Sequence, residues 1–348
     1  MQRICRSLAS DGFAVYLIGR RLTNSPKLSQ EIFTQKRLFC WFTKGPFFYI
    51  EYNLKLFIHL LFKRLDLLCA IDLDTILPVL FISVIRGKLR VYDAHEYFTE
   101  QKEVYERQTI FRIWSLIEKW SVPKFRLGYT VNQHLADLYY QKYQVEYQVI
   151  RNISFSYSLK NIDNEQINKF VLYQGAVNHG RCFEQLIPAM KIIDIPLVIA
   201  GEGNFLEETK DMVRRYDVAN KVQFKGRLAP LELRELTQRA YIGLTLFEAK
   251  GANQYYSLAN RFFDYMMAGI PQVCVNYPEY AQINDQYQFA YLIPDTKPET
   301  IAQAINNLLT DAVLYQQLRS NCLNAREILN WQNEEHKLLN FYSKLTRE

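Results

Sequence analysis

Short runs of β-branched, aliphatic and aromatic residues alternate with longer amphipathic stretches from one end of this chain to the other. That rhythm predicts parallel strands joined by crossover helices. In the N-terminal half the strand-like runs are Ala14–Ile18, Leu38–Phe42, Leu67–Ile71, Leu89–Tyr92, Leu127–Val131 and Tyr147–Ile150, with helices such as Thr109–Trp120 and Gln133–Lys142 between them. A polar stretch, Lys160–Lys169, then interrupts the pattern and is expected to be an interdomain linker. A second set of strands follows: Phe170–Tyr173, Leu197–Ala200, Val222–Phe224, Ile242–Leu246, Gln272–Val275 and Ala290–Ile293. Helices Cys182–Ile192, Phe205–Tyr216, Pro230–Arg239, Asn260–Ala268 and Pro298–Thr310 separate them, and the tail Asn324–Thr346 reads as one long helix carrying Trp331. The fold class expected is α/β, two doubly wound Rossmann-like domains facing across a cleft. The boundaries are 1–159, a linker at 160–169, 170–325, and a C-terminal helix at 326–348 that returns to the first domain.

Three segments depart from a plain reading. The chain opens with a helix, Gln2–Ser10, and the turn Asp11-Gly12, where a doubly wound domain ordinarily opens with a strand and a glycine turn. The first strand of such a domain lies centrally, so its absence is expected to leave a gap with unpaired edges. Pro46–Arg64 is rich in Phe, Leu, Ile and Tyr with Lys55, Lys63 and Arg64 among them. It reads either as a surface helix that lies on a membrane or as a crossover helix packed on the sheet. Ile76–Ile85, the longest apolar run, is about half the length needed to span a bilayer and is expected to be buried core.

Composition narrows the partners only a little. The 348 residues suit two α/β domains of ordinary size, and 49% hydrophobic with 22% charged residues is a globular profile. The net charge of +6 favours anionic partners in general but is too mild to argue for nucleic acid. The six cysteines lie far apart with no C-x-x-C pair, which points to buried free thiols in a reducing cytoplasm. The five histidines show no metal-ligand spacing, and the chain has no Walker A loop, G-x-S-x-G elbow or H-E-x-x-H. No apolar leader marks it for export.

Four constellations carry candidate chemistry. Val171 to Arg181 is a strand, a turn bearing Gly175, Asn178 and Gly180, and a helix start with Arg181 at its entrance. Such a turn lets backbone approach a phosphate closely; it also serves as an ordinary strand–helix connection. Leu197 to Gly203 ends a buried strand in Gly201-Glu202-Gly203, which lacks the third glycine of a dinucleotide site and reads equally as a nucleotide turn or a structural one. Gly251 to Pro271 is a polar loop running into a helix that stops at Gly269. There Ser257, Leu258, Asn260 and Arg261 suit a diphosphate, and Asp264, on the same helix face as Arg261, suits ribose hydroxyls; the competing reading is a surface Arg–Asp pair. In the N-terminal half, His95 follows a strand end beside Asp93 and Glu96, a placement that suits a catalytic or a structural histidine.

Tyr92-Asp93-Ala94-His95-Glu96, Tyr173 to Arg181, Val198 to Gly203 and Tyr255 to Pro271, in this order, resemble the retaining GT-B glycosyltransferases of the group 1, family 4 type, especially bacterial surface-polysaccharide enzymes. The resemblance covers nearly the whole chain. It implies that Arg181 meets the donor diphosphate with Arg261 near it, that Asp264 holds the ribose, and that His95 lies beside the donor sugar. The family's first motif glutamate falls at Tyr256, so contacts to the sugar pass to the backbone around Ser257 and Leu258. The reaction implied is transfer from a nucleotide-diphosphate sugar to a glycan or lipid-linked acceptor. It needs no metal, no cofactor and no nucleic acid, and proceeds in the cytoplasm at the inner face of the membrane. Two other readings share the fold: a non-catalytic binding subunit, suggested by the absent first strand, and a sugar-nucleotide epimerase using Glu96, Asp72 or Asp74 as acid and base.

Overall fold

The computed structural model describes residues 1–22, 25, 27–159, 169–249 and 251–346. The expected linker therefore lies, except for Lys169, outside the described residues. The chain forms two compact units, residues 1–151 with 334–348, and residues 152–333.

The first unit begins with α1 (Gln2–Ser10), β1 (Tyr16–Arg21), β2 (Thr34–Phe39) and α2 (Pro46–Leu61). It continues through β3 (Leu67–Ile71), α3 (Ile76–Ile85), β4 (Leu89–Ala94), α4 (Lys102–Tyr105), α5 (Gln108–Ser121), β5 (Leu127–Thr130), α6 (Gln133–Tyr143) and β6 (Gln148–Val149). All pairings are parallel, but the strands form two sheets, β1-β2 and β3-β4-β5-β6. Among the described residues β1 and β3 are thus each a sheet edge, and the chain passes between the two sheets through α2.

Two strands sit elsewhere than the hydrophobic runs suggest, and β1 is the first, at Tyr16–Arg21 rather than Ala14–Ile18. β2 is centred on Thr34-Gln35-Lys36-Arg37 rather than on Leu38–Phe42, because its register with β1 pairs Tyr16 with Thr34 and Arg21 with Phe39. It stops where the Glu51 carboxylate accepts the backbone N–H groups of Trp41 and Phe42, both at 2.9 Å, which removes them from any ladder. Ile76–Ile85 is a helix, and it is not all core: Phe81, Val84 and Ile85 are exposed.

The second unit contains β7 (Val171–Gln174), α7 (Phe183–Ala189), β8 (Leu197–Ala200), α8 (Leu206–Arg215), β9 (Val222–Phe224), α9 (Pro230–Arg239) and β10 (Ile242–Thr245). After these come α10 (Ala252–Tyr255), α11 (Asn260–Met267), β11 (Gln272–Val275), α12 (Pro278–Tyr287), β12 (Ala290–Ile293), α13 (Pro298–Thr310) and α14 (Ala312–Ile328). Its six strands are all parallel, in the order β12-β11-β10-β7-β8-β9. The four inner strands, β7, β8, β10 and β11, are buried along their length, as expected where helices cover both faces.

The tail is two helices rather than one. α14 ends at Ile328, and α15 (Trp331–Thr346) starts afresh. Asn330 makes the break: its amide donates to the carbonyls of Arg326 and Glu327 at 2.9 Å, and its oxygen caps the N–H of Asn333 at 3.0 Å. Trp331, fully buried, then donates its N–H to the Ser154 carbonyl at 3.0 Å. From Glu334 on the tail belongs to the first unit, where Phe341 and Tyr342 pack edge-on against Tyr129.

Candidate functional site

The winding of the second sheet reverses between β7 and β10, and the loops leaving the C-terminal ends of these two strands diverge around a crevice. Gly175 leaves β7 at φ +120° and donates its N–H to the Ala200 carbonyl at 3.0 Å. The loop after β8 lies directly on this one. A Cβ on Gly201 would sit 1.8 Å from the Gly175 carbonyl oxygen, and one on Gly203 would sit 2.2 Å from that of Val177 and 2.3 Å from Asn178 Oδ1. The two loops are also bonded, Val177 N–H to Glu202 O at 3.0 Å and Asn204 N–H to Asn178 Oδ1 at 3.0 Å. These contacts account for Gly201, Gly203 and the Asn178 acceptor without a ligand: they lock two loops into one rim.

Arg181 stands two residues ahead of α7, not at its first turn. Gly180 and Cys182 both adopt positive φ, 78° and 61°, which delays the helix to Phe183. The Arg181 guanidinium lies 4.4 Å over the ring of Phe247, the residue that follows β10 by two positions.

Arg261 is the centre of the arrangement. α11 is fixed by a buried face of Phe262, Phe263, Tyr265, Met266 and Met267, and the Tyr265 hydroxyl bridges Leu172 O at 2.9 Å and Gln174 N–H at 3.1 Å. Gly243 makes room for that ring, since a Cβ there would come within 2.4 Å of it. So anchored, α11 sends Arg261 from its first turn to the switch point. Its guanidinium donates to the carbonyls of Gln174 at 3.2 Å and Leu246 at 3.3 Å, the ends of β7 and β10. The rings of Tyr173 and Phe247 flank it at 4.6 and 4.4 Å. Arg261 is 7% exposed, its Nε has no partner, and no carboxylate among the described residues pairs with it. The competing surface Arg–Asp pair is therefore not formed.

Asp264 faces the protein instead. Its Oδ1 accepts from Ser154 Oγ at 2.5 Å and its Oδ2 from Gln174 Nε2 at 3.1 Å. Gln174 is in turn held by Thr237 Oγ1 at 2.7 Å. The Asp264 carboxylate is thus oriented beside the β7 end. Ser257 Oγ bonds the Gln254 carbonyl at 2.8 Å, and Tyr280 hydroxyl receives the N–H of Ala259 at 3.0 Å. Leu258 is half-buried and Asn260 exposed at the start of α11, whose N-terminus has no side-chain cap. The loop is less open than its composition suggests, because Ala252–Tyr255 forms the short helix α10.

In the first unit, His95 follows β4 directly. Its N–H donates to Asp72 Oδ1 at 2.8 Å, and its Nε2 lies 3.1 Å from Asp93 Oδ1 and 3.2 Å from Met1 Sδ. Asp93 accepts the Tyr129 hydroxyl at 3.0 Å on its other oxygen. Burial opposes charge on the imidazole, yet Asp93 and Asp72 hold its pKa above the ordinary value. Burial pushes Asp72 up to about 7 and Asp74 up to about 6, and Asp72 sits at φ 53°. Among the described residues no group of three or more His, Cys, Asp or Glu is arranged to hold a metal.

Sequence reasoning missed Gln174, Phe247 and Ser154. A glutamine ending an otherwise apolar strand was the one available signal.

The profile of the family described as "Glycosyl transferases group 1" matches residues 159–325, nearly the whole second unit. The second unit belongs to the group 1 glycosyltransferase family. The structure of the chain is similar to that of sucrose-phosphate synthase from Thermosynechococcus elongatus, with a TM-score of 0.79 at 15% identity over 99% of this chain and 92% of that one. WaaG, a glycosyltransferase involved in lipopolysaccharide biosynthesis, aligns at a TM-score of 0.71 and 15% identity over 97% and 94% of the two chains. HepE of Anabaena, solved in complex with UDP-glucose, aligns at 0.71 and 15% over 90% and 86%. Among curated proteins none matches by sequence. The chain thus has the GT-B fold, with a group 1 glycosyltransferase domain as its second unit.

Proposed function

We propose that the chain transfers a sugar, with retention of anomeric configuration, from a nucleoside-diphosphate sugar to a glycan or lipid-linked acceptor. The setting is cell-surface polysaccharide synthesis at the cytoplasmic face of the membrane. The observation that carries the donor reading is Arg261, a buried guanidinium at the switch point with no carboxylate partner among the described residues. An unpaired buried charge is costly, and a bound diphosphate would supply the missing anion. Arg181, on the same Phe247 ring, adds a second positive charge, and the backbone of Gly175, Ser257, Leu258 and Asn260 offers close approach to phosphate oxygens. Asp264 is proposed to accept the ribose hydroxyls, and Asn178, Gly201 and Gly203 to hold the rim in shape. UDP-glucose bound to HepE makes uridine nucleotides the first to try.

His95, oriented by Asp93 and Asp72, is proposed to meet the transferring sugar. In the reaction the bond from the anomeric carbon to the donor phosphate oxygen breaks, and the acceptor hydroxyl oxygen bonds that carbon on the same face. The acceptor proton passes to the departing phosphate, so neither a metal nor a cofactor is required. The arginines stabilise the negative charge that develops on the leaving diphosphate. Incubation of the chain with donor alone and with donor plus acceptor tests this. Transfer only when acceptor is present supports the proposal; conversion of donor alone makes the chain an epimerase, and inertness in both makes it a binding subunit.

A further inference from the structure

α2 has two apolar faces, and the core uses only one of them. Phe48, Tyr52, Leu56 and Leu60 recur every fourth position and are 5–8% exposed. On the opposite side Phe47, Ile50, Leu54 and Ile58 are 65%, 64%, 57% and 48% exposed, and Phe62 just beyond is 82% exposed. A helix that is apolar all round normally has partners all round, and this one lacks them outside. The inner face fits the crossover-helix reading of Pro46–Arg64, and among the described residues the outer apolar face is left uncovered.

The exposed row does not stop at the helix. The loop before it presents Trp41 and Phe42, with the Phe42 ring 5.5 Å from that of Phe47. Lys55 Nζ lies 5.1 Å over the Trp41 ring and bonds Glu51 at 2.6 Å. Glu51 in turn accepts the N–H groups of Trp41 and Phe42 and is held down to about 2 by Lys55. The aromatic loop is thus fastened to the helix with its rings outward. α3, packed beside α2, extends the apolar surface with Val84 and Ile85.

Charge decides what covers this face. Residues 36–64 contain six basic side chains and one acidic one, a net +5 of the whole chain's +6, and the one acid is already paired within the patch. A second copy of the chain would set the same positive field against itself. An anionic lipid surface has the opposite charge and an apolar layer beneath it, and it takes Trp and Phe at its interface with Lys and Arg reaching its headgroups. At 16 residues α2 is too short to span a bilayer, and no helix among the described residues is long and apolar enough to cross one.

We propose that the outer face of α2, together with the loop bearing Trp41 and Phe42, docks the first unit flat on an anionic membrane. This deepens the membrane-side setting proposed above by naming the surface, and it does not depend on the donor site. The test is flotation of the full chain with vesicles of phosphatidylcholine alone and with about a third phosphatidylglycerol. The wild type is expected to float with the anionic vesicles and to release them at high salt. Ile50→Ser with Leu54→Ser, and separately Trp41→Ser, should weaken binding by about tenfold or more, with melting temperature unchanged because these side chains face solvent. Lys44→Glu with Lys63→Glu should weaken binding to anionic vesicles alone. Failure of the wild type to float, or binding untouched by all these variants, would overturn the proposal. So would a wild-type dimer that the Ile50→Ser, Leu54→Ser variant turns into a monomer. A wild type that transfers sugar to a water-soluble acceptor yet binds no vesicles would sink the docking face and leave the glycosyl transfer standing.

Discussion

Replacing Arg261 by methionine separates a ligand-binding cation from a structural one. Methionine fills much of the same space between Tyr173 and Phe247 but carries no charge. The native guanidinium makes two long bonds, 3.2 and 3.3 Å, to carbonyls of Gln174 and Leu246. Losing them costs about 1 kcal/mol each, whereas removing a buried, unpaired charge returns a desolvation cost of several kcal/mol. The unliganded variant is therefore expected to melt no lower than the wild type. The liganded protein should behave in the opposite way. Deleting one partner of a buried charge pair costs about 2–4 kcal/mol in affinity, roughly 30- to 1000-fold. At a nucleotide concentration about 100 times the wild-type Kd, the ligand stabilises the wild type by about 2.7 kcal/mol, but the variant by less than about 1 kcal/mol. For a unit of this size those figures correspond to shifts of about 5–10 °C and about 2–4 °C at most. Differential scanning calorimetry with and without the nucleoside diphosphate reads both quantities from one sample. A variant that melts more than about 5 °C lower without ligand, yet keeps the full ligand shift, would make Arg261 a strut and refute the reasoning.

Arg181→Ala should weaken nucleoside-diphosphate binding by about tenfold, the effect of one charge-assisted phosphate contact, while the protein stays folded; calorimetric affinity equal to wild type would remove Arg181 from the site. Asp264→Asn should weaken ribonucleotides more than the matching 2′-deoxyribonucleotides, because a carboxylate loses more as a hydroxyl acceptor than as the partner of Ser154 and Gln174; equal losses in a paired titration would rule out the ribose role. Asp74, pushed up to about 6 by burial, binds its proton more tightly folded than unfolded, so the stability it contributes is present at acid pH and is lost as pH rises through about 6. Asp74→Asn should match wild type near pH 4 and exceed it by about 2–3 kcal/mol at pH 8 in urea unfolding; a pH-independent difference would place the carboxyl in solvent.

Legibility followed how local the cause is. The strands of the second unit read well because each is a short apolar run bounded by polar or turn residues: Leu197–Ala200, Val222–Phe224, Gln272–Val275 and Ala290–Ile293 keep their expected limits, and the other two shift by no more than a single residue at either end. β1 and β2 read poorly because pairing sets their register, and a glutamate ten residues on from Trp41 ends β2. The break in the tail depends on one asparagine that bonds in both directions, which periodicity does not see. At the site, Arg261 and Asp264 stand out in sequence as polar residues on an otherwise apolar helix. That Arg261 turns inward to two strand ends while Asp264 bonds Ser154, over a hundred positions away, depends on tertiary packing alone.

The most direct test of the donor site is calorimetric titration of the full chain with UDP, GDP, ADP and dTDP in the presence of EDTA. One of these is expected to bind once per chain without metal, and to lose that binding in Arg261→Met while the variant remains folded. If none binds, or if binding appears only when magnesium or manganese is restored, the unpaired arginine at the strand ends does not hold a diphosphate and the account is wrong.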